Sequence, residues 1–124
     1  METRLSEIGQ IAITVSDVEK VLPFYRDTLG LSFLFRPTPT LAFLAAGSVR
    51  IMLSTPQGAG AVGCNSILYF KVTEIAATQA AIVKRGATEE RPPQLAAKTP
   101  DHELWIGFLR DPDGNLIGLM EEKR

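Results

Sequence analysis

Cysteine and histidine are almost missing from this sequence: Cys64 and His102 are the single examples among 124 residues. One thiol forms no internal disulfide, and one cysteine with one histidine falls short of the ligand sets that hold structural zinc. Neither sign of charge dominates, with 13 Lys and Arg against 14 Asp and Glu for a net charge of −1. That balance gives no field to hold a phosphate backbone, and no local basic stripe replaces it, so no nucleic-acid partner is expected. Long apolar runs are lacking too, since none approaches the ~20 residues of a membrane-spanning helix. The start, Met1 to Glu7, puts an acid where a signal peptide needs basic residues followed by apolar length. The expectation is a protein without a membrane partner, kept in the cytoplasm with its one thiol reduced.

What the chain does contain is enough for a core: 45% of its residues are apolar, ample for one domain spanning 1–124. Ile8 to Val15 alternates Ile11, Ile13 and Val15 with Gln10, Ala12 and Thr14, the period of a strand with two different faces. Ser16 and Asp17 are N-cap candidates, with Glu19 placed as in a capping box, and an apolar stripe through Val21, Leu22, Tyr25 and Leu29 closes at Gly30. Pro23 lacks an N–H, which predicts an irregular first turn and a regular helix from about Val21. Ser32–Arg36, Leu41–Ala45 and Val49–Ser54 then read as strands of an antiparallel meander.

The same grammar returns. Ser66–Thr73 reads as a strand, Glu74 as the cap of a helix from Ile75 to Arg85, and Gly86 as its stop. Asp17 and Glu74 lie 57 residues apart, so the unit repeats. Later strands are predicted at Glu89–Arg91, Leu104–Arg110 and Leu116–Glu121, with Gln94–Asp101 as an extra loop and Asp111-Pro112-Asp113-Gly114-Asn115 as a hairpin turn. The fold class predicted is α+β: a βαβββ module at 1–55, a linker at 56–65 and a second module at 66–124, their sheets curling around a cleft. Alternation assigns to that cleft Gln10, Ala12 and Thr14; Arg50, Met52 and Ser54; Ile67, Tyr69 and Lys71; Trp105, Gly107 and Leu109; and Leu116, Gly118 and Met120.

Three stretches together carry a resemblance: Ile11-Ala12-Ile13-Thr14-Val15-Ser16-Asp17, Pro23-Phe24-Tyr25-Arg26-Asp27-Thr28-Leu29-Gly30-Leu31, and Phe108-Leu109-Arg110-Asp111-Pro112-Asp113-Gly114-Asn115. The chain resembles the vicinal oxygen chelate superfamily, which includes glyoxalase I, extradiol dioxygenases and bleomycin-binding proteins. The resemblance implies paired βαβββ modules, frequent assembly as homodimers and, in metal-dependent members, a divalent ion held from the first and last strand of each module. The positions matching those ligands are Gln10, Met52, Ile67 and Gly118. Isoleucine and glycine have no side-chain donor and a methionine sulfur suits soft copper(I), so no bound metal or other cofactor is expected. The residues expected to bind ligand are Gln10, Arg50, Met52, Ile67, Tyr69, Trp105, Gly118 and Met120. Arg50 and Lys71 are candidates to meet an anion, and Tyr69 and Trp105 to bond or stack. His102 has no partner carboxylate fixed by the sequence, Cys64 has no neighbouring cation to activate it, and the Asp111–Asn115 turn and Arg26-Asp27 read as structural. The function expected is binding of a small, largely apolar or aromatic molecule by a homodimer. The alternative is a metal-dependent lyase, isomerase or dioxygenase of glyoxalase type.

Overall fold

The computed structural model describes residues 3–56 and 61–124. The first half runs β1 (Gln10–Thr14), α1 (Val18–Pro23), β2 (Ser32–Thr38), β3 (Leu41–Ala46) and β4 (Val49–Ser54). The second runs β5 (Leu68–Lys71), α2 (Ile75–Lys84), β6 (Thr88–Lys98), β7 (Glu103–Arg110) and β8 (Leu116–Lys123). Each half forms its own four-stranded sheet, ordered β1-β4-β3-β2 and β5-β8-β7-β6. In both, the first strand lies parallel to the last and the other pairs are antiparallel. A parallel neighbour needs a crossover, and the helix carries the chain to the far edge before the meander brings it back.

Ile13, Val15, Ile51, Leu53 and Leu44 of the first sheet join Val21 and Tyr25 beside α1 in one buried cluster. That cluster also holds Ile75 and Ile82 of α2 with Leu109, Ile117 and Leu119 of the second sheet. The helix-covered sides of the two sheets therefore meet in a single core, and each sheet keeps an outer face turned away from its helix.

Several boundaries differ from those the sequence predicts. The helix begins at Val18, because Asp17 accepts a hydrogen bond from the Glu19 N–H at 3.0 Å, and Ser16 takes no part in the cap. Pro23 disturbs the helix after itself instead of before: Phe24–Thr28 widens into a π-helical turn, closed by Leu29 N–H donating to the Phe24 carbonyl at 2.8 Å. Glu74 does not cap α2; it stands in the left-handed region at φ 54° without a side-chain cap. The cap comes from β8, where the Glu121 carboxylate accepts from the N–H groups of Glu74 and Ile75, both at 3.0 Å. These bonds hold the Glu121 carboxyl below its ordinary pKa. β5 is shorter than expected and β6 much longer, since most of the predicted loop at Gln94–Asp101 is strand. Gln94, Leu95, Ala97 and Lys98 pair with Ile106, Trp105, Leu104 and Glu103, and the register slips between Arg91 and Gln94, where Pro92 and Pro93 have no N–H to offer. An edge strand tolerates such a bulge.

The hairpin turn also joins the two halves. Asp111, itself buried, accepts from the N–H groups of Asp113 and Asn115 and, at 2.6 Å, from the Tyr25 hydroxyl. Burial, then the Asp111 charge, raises the Tyr25 phenol far above its ordinary pKa. Asp113 accepts from the Ser16 N–H and hydroxyl, and Asn65 bonds both Thr14 and Asn115. Within the expected linker, residues 57–60 lie outside the described residues.

Candidate functional site

Residue parity along each strand decides which side chains reach the outer faces. On the first sheet Gln10 pairs with Arg50 and Ala12 with Met52, while Met52 also faces Phe43 on β3. Gln10, Arg50 and Met52 thus share one face, as expected, with Phe43 and Phe35 added to them. The Arg50 Nε donates to the Gln10 Oε1 at 2.8 Å, the Gln10 Nε2 lies 3.7 Å from the Met52 sulfur, and the guanidinium carbon sits 5.1 Å from the Phe43 ring centre. Phe35 stacks on Phe43 with ring centres 4.7 Å apart. Next to this cluster, Ala12, Thr14, Thr38, Thr40, Leu41, Met52 and Ser54 line a hollow of about 480 Å³.

On the second sheet Tyr69 pairs with Gly118, Lys71 with Met120, and Gly118 in turn with Phe108. The Tyr69 ring meets Phe108 edge-on at 5.8 Å, and Arg91 lies 5.9 Å from the centre of the same Phe108 ring. Lys71, Thr73, Thr78, Met120 and Glu122 line a hollow of about 580 Å³. Of the residues expected in one cleft, Ala12, Thr14, Met52 and Ser54 line the hollow of the first sheet, Lys71 and Met120 that of the second, and Tyr69 and Lys71 also border a groove between the halves. Ile67, 40% exposed, lines the same groove of about 430 Å³, where the β1 and β5 sides of the two halves approach each other.

Trp105 is the correction. It pairs with Glu121, the acid that caps α2, and so lies on the helix-covered side with Gly107 and the fully buried Leu109. There its Nε1 donates to Glu103 and the Lys123 ammonium sits 4.6 Å from its ring. The outer face is filled instead by Ile106 and Phe108, opposite Met120 and Gly118. The cause is the turn: Asp111 N–H donates to the Asn115 carbonyl and Arg110 pairs with Leu116, which places even-numbered residues of β7 opposite even-numbered residues of β8. Counting out from that turn would have found Phe108. Phe43 and Phe35 left no comparable signal, because their role rests on the bulged pairing of β2 with β3.

The four positions matching metal ligands do not fit a divalent ion. The Gln10 amide oxygen is taken by Arg50, whose positive charge opposes a second cation there. Met52 offers a thioether and Ile67 offers nothing. At Gly118, an added Cβ would lie 2.5 Å from the Tyr69 ring, so the place where a liganding side chain would emerge is covered by an aromatic ring. Among the described residues no group of three His, Cys, Asp or Glu side chains is arranged to hold a metal.

Elsewhere, His102 does have carboxylates near it: its Nδ1 lies 3.1 Å from Asp101 and its Nε2 3.7 Å from Glu122, which Arg124 also approaches. Thr99 closes the same turn and, with His102, holds the Asp101 carboxyl below its ordinary pKa. These contacts tie the β6–β7 turn to the end of β8. Cys64 is exposed, Arg26 pairs with Asp27, and no helix among the described residues is long and apolar enough to cross a membrane.

The glyoxalase/bleomycin resistance protein/dioxygenase superfamily model matches residues 7–119. No curated protein matches the sequence. Among solved structures, an integron cassette protein from V. cholerae is similar with 22% identity and a TM-score of 0.80 over 98% of each chain. TnmS3, an antibiotic binding protein from Streptomyces sp. CB03234, shares 24% identity at a TM-score of 0.78, over 98% of this chain and 100% of that one. A lactoylglutathione lyase from Agrobacterium tumefaciens shares 21% identity at 0.76, over 96% of each. At these identities the likeness is one of fold.

Proposed function

This chain belongs to the glyoxalase/bleomycin resistance protein/dioxygenase superfamily, and from that premise we propose that it binds a small, largely apolar or aromatic molecule in a cleft that works without a metal ion. The observation carrying this reading is the Tyr69 ring lying where a side chain at Gly118 would project. An aromatic surface stands in place of a ligand to a metal, and the opposite half offers Phe43, Phe35 and Met52. Such a mostly apolar surface with a few fixed polar groups is the usual character of a small-molecule site. That TnmS3, a protein of the same fold, is an antibiotic binding protein supports a ligand of this general kind.

The working protein in this proposal is a homodimer in the cytoplasm. The two outer faces flank one core and line separate hollows, and in this proposal each is half of a cleft. Phe35 on the outer face of the first sheet and Tyr69 on that of the second are 46% and 45% exposed, large apolar groups that a second copy would cover. The first sheet of one copy then faces the second sheet of the other.

Three measurements on purified protein test the proposal. Sedimentation is expected to give a dimer at micromolar concentration that Phe35→Glu converts to monomer. Calorimetric titration with a panel of aromatic antibiotics and metabolites is expected to yield at least one saturable ligand. Elemental analysis is expected to find metal well below one ion per chain. Stoichiometric Ni, Zn, Mn or Fe that survives dialysis and is lost in Gln10→Ala would instead establish the glyoxalase-type enzyme.

A further inference from the structure

Arginine on this protein's surface is generally neutralised. Arg26 meets Asp27, Arg36 meets Glu19, Arg110 meets Glu90, and Arg124 meets Asp101 and Glu122. Arg85 turns to the Thr28 carbonyl. Arg50 and Arg91 differ: no carboxylate lies within 4.0 Å of either among the described residues, and both lie on phenylalanine rings, Phe43 and Phe108. These two carboxylate-free guanidinium groups thus lie on aromatic rings of the two outer faces.

Arg50 is the better held of the two. Its Nε donates to Gln10 and its plane rests near Phe43, contacts that fix the guanidinium without cancelling its charge. Its two terminal nitrogens have no partner among the described residues, so the fork that pairs a carboxylate with two parallel hydrogen bonds remains available. Beside it lie Phe35, Phe43 and Met52, which give an apolar body somewhere to rest. Resting on the function proposed above, we infer that the ligand is an aromatic anion whose carboxylate is paired by Arg50 while its ring lies across Phe43, Phe35 and Met52. Gln10, at the position matching a metal ligand, acts here as the positioning residue for a fixed organic cation.

The test uses two probes of nearly the same shape, 2-naphthoate and the uncharged 2-naphthamide, titrated calorimetrically into the full chain at low and high salt. The naphthoate is expected to bind at least tenfold tighter at low salt, with the preference shrinking as salt rises. Arg50→Gln is expected to bring the two probes to equal affinity while leaving the melting temperature unchanged, and Arg50→Lys to keep part of the preference. Equal affinities in the unaltered protein, or a preference that persists in Arg50→Gln, would overturn the anion assignment and leave an aromatic-binding cleft standing. Failure of both probes would remove that cleft reading and this inference with it.

Discussion

The two halves of the chain share one topology but secure their helices in different ways. α1 is capped from its own sequence by Asp17 and is tied to the other half through Tyr25 and Asp111. α2 carries no cap of its own and relies on Glu121 from the strand beneath it, while its buried Gln79 bonds Glu89 and the Arg91 carbonyl. Gly107 lies so close under Gln79 that an added Cβ would come within 1.9 Å of the amide oxygen. The outer faces diverge as well, an arginine on phenylalanine with glutamine behind it in one half and a tyrosine folded over glycine in the other. Both halves contribute to the apolar frame that any such sandwich needs, while each supplies its own polar contacts. Those contacts are where the halves can be perturbed separately.

The largest effect is expected at the Gln79–Gly107 contact. Gly107→Ala forces a methyl group against a fully buried side chain and should destabilise the fold by about 3 kcal/mol, read from the denaturant midpoint. Adding Gln79→Ala should recover part of the loss; a purely additive double variant would show that the two residues do not conflict.

Tyr25→Phe comes next, at about 2 kcal/mol, because it removes a hydrogen bond to the buried Asp111 carboxylate and so loosens the link between the halves. It also carries a pH signature. The Tyr25 phenol is raised above its ordinary pKa of 10.0, so the folded chain holds a proton that the unfolded chain releases. Its contribution is complete below that pH and is lost as pH rises further. The unaltered protein should therefore lose stability above about pH 10 more steeply than Tyr25→Phe; parallel curves would show that burial and Asp111 do not hold the phenol protonated.

Gly118→Ala presents a similar overlap with a different outcome. Tyr69 is 45% exposed and can swing outward, so the cost should be about 1 kcal/mol. Ligand affinity should fall further than stability does, since the aromatic surface moves. The smallest effect is at the α2 cap. Glu121 is held below its ordinary pKa, so its stabilisation stands at neutral pH and is lost as pH falls through the carboxylate range. Glu121→Gln should flatten the acid limb of the stability curve, and an unchanged acid limb would remove Glu121 as the cap.

Much of the frame was legible because it follows from local periodicity. The alternation at Ile11, Ile13 and Val15, the stop at Gly30 and the turn at Asp111–Asn115 each depend on neighbours in sequence. The second occurrence of the unit then identified the architecture. What went astray depended on partners distant in the chain. Trp105 lies on the face opposite to the one alternation along β7 alone suggests, because the parity of β7 is set by its pairing with β8 across the turn. Residues 94–98 read as loop because Pro92 and Pro93 suggested a break, whereas an edge strand absorbs both prolines in a bulge. Glu74 looked like a cap because the acid that performs the task lies 47 residues further on.

By itself the sequence determined that two like modules form, which side of β1, β4 and β5 is apolar, and that three of the four positions matching metal ligands bear isoleucine, methionine and glycine. These are properties of residue type and spacing, and no folding is needed to read them. The tertiary structure alone decided that the helix-covered sides merge into one core, that the outer faces line separate hollows, and that Gln10 spends its oxygen on Arg50. Those outcomes are set by which surfaces meet when the halves pack, and side chains far apart in the chain acquire their partners only then.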